Sequence, residues 1–115
     1  MVHFLCSDEQ SKDLSDFVRR VFKALDVTDS MERVSSHYLE ERYFVGKIDG
    51  GQLKIALSDE VGFDDLPYWL SIEIDVGSGT LVNVDMFIRK ALSTSGIRIA
   101  KIENFGKKNM FRVDY

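Results

Sequence analysis

Between residues 42 and 76 three β-forming runs follow one another with only a tight turn and one loop between them, and this spacing constrains the fold more than any other feature. Asp49-Gly50-Gly51 is a strong tight-turn signal, so 42–48 and 52–57 read as a β-hairpin, with Leu53, Ile55 and Leu57 on one face. After a loop over 58–68, residues 69–76 alternate cleanly. Leu70, Ile72, Ile74 and Val76 point inward, and Ser71, Glu73 and Asp75 point outward. Strands joined this closely leave no room for the crossover a parallel pair needs, so the sheet is expected to be mainly antiparallel.

The rest of the chain supplies helices and further strands. Residues 2–6 form a short apolar run that suits a strand. Ser7 and Gln10 have capping-box spacing with Asp8 and Glu9 between them, so a helix is expected to start at Ser7. Its stripe is Leu14, Phe17, Val18, Val21, Phe22 and Leu25, at i, i+3, i+4, i+7 spacing. The opposite face (Lys12, Asp16, Arg19, Arg20, Lys23) carries mixed charge, which favours packing on a sheet over lying on a membrane.

Residues 33–39 read as a strand. A second helix is expected over 83–95, with Asn83 as N-cap, Gly96 as C′ terminator and Val84, Phe87, Ile88, Ala91 and Leu92 buried. Residues 97–103 and 110–115 close the chain as two strands. The fold class is therefore α+β, a mainly antiparallel sheet with two packed helices in the order (β)α-βββ-β-α-ββ. The expected core is Leu14, Phe17, Val21, Leu53, Ile55, Leu70, Ile72, Ile74, Phe87, Ile88, Ile99 and Phe111. The 115 residues show no repeat or linker and read as a single domain over 1–115.

Hydrophobic residues make up 44% of the chain and charged residues 30%, with one proline, which excludes a disordered chain. The formal charge of −4 opposes nucleic acid and anionic membranes and favours a basic partner. Cys6 stands alone, so a disulfide scaffold is excluded. The first residues lack a basic segment followed by an apolar one, and no run of about 18 apolar residues occurs, so the expected location is the cytoplasm.

Chemistry-bearing motifs are sparse. His3 and His37 have no second ligand at metal-binding spacing, and Cys6 in its apolar run reads as a small buried hydrophobe. Gly77-x-Gly79 lies between a strand and a helix, but Val82 occupies the third position of a dinucleotide loop, and no P-loop occurs. The expectation is no enzyme, no metal and no cofactor. One segment stands out. Asp59, Glu60, Asp64 and Asp65 fall within seven residues, interleaved with Phe63 and followed by Tyr68 and the single Trp69. Carboxylates steer a cationic partner and aromatics supply anchoring area, so Asp59, Glu60, Phe63, Asp64, Asp65 and Tyr68 are the candidate partner-binding residues. The plainer reading keeps the acids as a solvated loop and sends Phe63, Tyr68 and Trp69 into the core.

The runs Ser36-His37-Tyr38-Leu39-Glu40-Glu41-Arg42-Tyr43-Phe44-Val45-Gly46, Leu53-Lys54-Ile55-Ala56-Leu57-Ser58-Asp59-Glu60 and Phe63-Asp64-Asp65-Leu66-Pro67-Tyr68-Trp69-Leu70 resemble small bacterial immunity proteins of contact-dependent growth inhibition and related polymorphic toxin systems. The resemblance spans roughly residues 30–75. It implies a cytoplasmic protein that binds a cognate basic toxin domain one-to-one, most often a nuclease with an RNase type favoured, and neutralises it by covering the active cleft. Two alternatives stand beside it: a small enzyme whose site is assembled from scattered residues such as His37 and Tyr38, and a generic protein-binding adaptor.

Overall fold

The computed structural model describes residues 2–48, 51–58, 62–74, 81–104 and 107–114, with residues 74 and 81–85 described by their backbone alone. The elements in chain order are β1 (Val2–Ser7), α1 (Leu14–Ala24), β2 (Thr28–Val34), a 3-10 turn (Leu39–Glu41), β3 (Arg42–Ile48), β4 (Gly51–Leu57), β5 (Tyr68–Ile74), α2 (Leu81–Thr94), β6 (Arg98–Glu103) and β7 (Phe111–Asp114). The strands form one seven-stranded sheet in the order β2-β3-β4-β5-β1-β6-β7, antiparallel at every pairing. The α+β class and the element order are as expected.

The apolar run at the start of the chain becomes the inner strand β1, bonded to β5 on one side and β6 on the other. Phe4 and Cys6 point to the helices, Leu5 points the other way, and all three are fully buried. On the helix face the main core joins Leu14, Phe17, Val18 and Val21 of α1 and Ile88 and Leu92 of α2 to Leu53, Ile55, Leu70, Ile72 and Ile99 of the sheet. Gly46 of β3 lies under the end of α1, where a Cβ would overlap Val27 Cγ1 and touch the Phe22 ring.

Several expectations shift. Ser7 does not cap a helix, because it pairs with Arg98 in the β1–β6 ladder. The buried Asp8 carboxylate instead accepts from the Gln10 amide and the Ser11 hydroxyl and pairs with Arg20 Nε at 2.6 Å, building a turn before the helix. Asp13 is the N-cap, accepting from the Asp16 amide at 2.9 Å. β2 runs over Thr28–Val34 rather than 33–39, because residues 35–41 form the turn into β3, closed by Ser35 N–H to Glu41 C=O. All seven β2 residues are exposed, so this edge strand has no buried face to give it an alternating pattern.

α2 begins at Leu81, which puts Asn83 in its first turn rather than at the N-cap. Gly96 does end α2, with φ +82° and the Ile97 amide bonded back to Leu92 C=O, a closure that suits glycine. Phe87 and Phe111, both expected in the core, are each 51% exposed. The buried stripe of α2 runs through Ile88 and Leu92, and Phe111 lies on the edge strand β7. The Ile74 side chain of the expected core, the expected inward residues Val76 and Val84 (side chain), and the expected Gly77–Thr80 turn lie outside the described residues. No helix is long and apolar enough to cross a membrane.

Candidate binding surface

Residues paired across an antiparallel ladder share a face. The pairs Phe4↔Leu70 and Leu70↔Ile55 lie under the helices, so the alternating set, Leu5↔Trp69 and Trp69↔Ala56, belongs to the opposite face. Neither helix covers that second face. Two things occupy it instead.

The first is the loop before β5. Leu66 is fully buried against Leu5, Ala100 and Ile102, with Phe63, Trp69 and Met110 packed around the cluster. The loop neck is closed by Ser58 N–H to Pro67 C=O at 2.8 Å. Asp65 accepts a two-pronged contact from the Arg112 guanidinium, at 2.9 and 3.0 Å, and pairs with Arg98 at 3.2 Å. The Arg112 hydrogen bonds hold the Asp65 carboxyl below the usual carboxylate range, and the same contacts raise the guanidinium. Arg112 also stands over the Phe63 ring, 5.8 Å from its centroid.

The second is a row of aromatic rings. His3 stacks on Trp69 with centroids 5.8 Å apart, Trp69 meets Tyr38 at 6.0 Å, and Tyr38 meets Tyr43 at 4.6 Å. Tyr38 reaches the sheet because the turn over 35–41 folds back, with Glu40 and Glu41 both in the left-handed region at φ +58° and +57°. Lys54 Nζ sits over both tyrosines, 5.3 Å from the Tyr43 centroid and 5.9 Å from that of Tyr38. Beneath and beside this cluster Ala56 and Ser71 are buried. Burial, and then the positive amino terminus, push the His3 imidazole below its ordinary value.

The candidate residues named from sequence divide. Phe63 is half-buried in the loop, Asp64 is exposed, and Asp65 is committed to Arg112 and Arg98. Tyr68 is not available as an anchor. It is 7% exposed on the helix face, its ring stacked on Phe17 at 4.2 Å, and burial raises its hydroxyl. Asp59 and Glu60 lie outside the described residues.

Cys6 is fully buried in the main core with its thiol pushed well up, a poor nucleophile. His37 is exposed on the 35–41 turn, and no three His, Cys, Asp or Glu side chains converge among the described residues. Tyr43 and Lys54 are not among the candidates named from sequence, and Tyr38 is named there only for the alternative enzyme site. The usable signal was the outward set of the hairpin, Tyr43, Val45, Lys47, Gln52 and Lys54, in which an aromatic ring lies one strand away from a cation. Compared with protein-family models, with curated proteins and with solved structures, the chain gives no match.

Proposed function

We propose that this chain is an immunity protein that binds a cognate toxin domain one-to-one, through the sheet face left bare by the helices and the loop beside it. The observation that carries the reading is the row His3–Trp69–Tyr38–Tyr43 on that bare face. Tyrosine and tryptophan in a partly desolvated patch are the residue types that carry most of the energy of protein interfaces, and solvent-facing charges around them set encounter rate. Tyr38, Tyr43 and Phe63 are the proposed anchors, with Asp64, Asp59 and Glu60 as steering charges. Asp65 holds the loop in place, and Tyr68 belongs to the core. The net charge of −4 suits a basic partner, such as a nuclease domain of RNase type, acting in the cytoplasm.

The test is protection. The C-terminal domain of the toxin encoded immediately upstream is expressed with and without this chain, and growth and co-purification are followed. Restored growth with a one-to-one complex is the expected result. Full toxicity with no complex would overturn the assignment, as would the absence of any toxin gene beside this one.

A further inference from the structure

The bare face does not have the charge that the chain as a whole suggests. A groove of about 540 Å³ runs along β2, β3 and β4, lined in part by Met31, Arg33, Val45, Lys47 and Gln52. It continues past Val45 into a smaller recess where Lys54, Ser71 and the exposed Glu73 meet. Lys47 is already paired with Asp29. Lys54 is different: it is half-buried, and its contacts are the faces of Tyr38 and Tyr43, with no carboxylate in ion-pair range among the described residues. Aromatic faces attract an ammonium but accept none of its N–H bonds in the way a carboxylate does. The acids instead surround the patch. Glu40 and Glu41 follow Tyr38 on its turn, Glu40 being tied to Arg42, and Asp64 projects from the loop that packs against Trp69; all three are exposed.

We propose that Lys54, held on Tyr38 and Tyr43, receives a carboxylate from the bound toxin while the surrounding acids meet the toxin's cations. This rests on the immunity reading and adds the partner's chemistry: a basic cleft with a carboxylate at its centre. Such a surface is what a nuclease needs, cations to hold phosphates around a group that moves a proton. A single-stranded nucleic acid fits the face less well. A backbone track needs a run of unpaired cations, and here Arg98, Arg112 and Lys47 are spent on Asp65, Asp114 and Asp29, which leaves Arg33 and Lys54 rather than a run.

The experiment measures affinity for the upstream-encoded toxin domain by calorimetry, for the wild type and for Lys54→Met. Lys54→Gln replaces the methionine variant if the latter does not fold, and near-UV circular dichroism confirms the fold. Decauridylate is titrated in parallel. Leaving a toxin carboxylate buried without its partner is expected to weaken binding at least about 30-fold, with no binding of decauridylate. Wild-type affinity retained in the Lys54 variant overturns this inference and leaves the immunity reading standing. Failure of the wild type to bind the toxin overturns both. Lys54-dependent binding of decauridylate makes the face a nucleic-acid site and overturns the carboxylate proposal.

Discussion

Glycine 46 shows how closely the chain is fitted at the scale of one residue. β3 passes under the end of α1, and the space a methyl group would need there is filled by Val27. Valine is stiff about χ1, so it cannot swing aside cheaply. Gly46→Ala is therefore expected to destabilise the protein by about 1–3 kcal/mol, measured by urea unfolding. Adding Val27→Ala should recover part of the loss, and full additivity of the two changes would contradict the packing described. Asp8 makes a related point about polar groups. Its carboxylate is buried yet fully engaged, by Gln10, Ser11 and Arg20, so the turn before α1 has a structural reason for its acid. The capping-box reading put that acid in a helix because local spacing does not reveal a partner twelve residues further on.

Elements differ in how much of themselves they write into their own residues. α1 and the 42–57 hairpin were readable because each has a buried face whose period is visible locally: Leu14, Phe17 and Val21 in one, Leu53 and Ile55 in the other. β2 was misplaced because an exposed edge strand has no such period. The stripe of α2 was located but not resolved, since Phe87 and Ile88 are neighbours and only packing decides which turns in. The loop before β5 was recognised by its acids and aromatics, but what those residues do depends on contacts far along the chain. Tyr68 finds Phe17, and Asp65 finds Arg112. No local pattern announces either pair. The Asp65 contact sets a pH dependence for this loop. Its native carboxyl titrates below the ordinary value of 3.8, so the unfolded state takes up its proton first as pH falls. The contribution to stability is thus fully present above that ordinary value and is lost as pH falls through the lowered native one. Asp65→Asn is expected to speed amide exchange at Leu66 at pH 7 and to remove this acid-dependent loosening. Unchanged exchange in the variant would show that the apolar packing of Leu66 holds the loop alone.

At the scale of the whole molecule, the sheet separates two jobs. One face carries both helices and the main core, and the other carries aromatic rings, a cation and a tied-down loop. Because the two faces can be altered independently, they can be compared within one binding measurement. The dissociation constant for the upstream-encoded toxin domain, taken for the wild type, Tyr43→Ala on the bare face and Phe87→Ser on the exposed side of α2, tests the central claim most directly. Loss of an interface hot spot costs at least about 2 kcal/mol, so Tyr43→Ala should bind about 30-fold more weakly while Phe87→Ser binds as the wild type does. An unchanged Tyr43→Ala together with a weakened Phe87→Ser would move the interface to the helices and contradict the account.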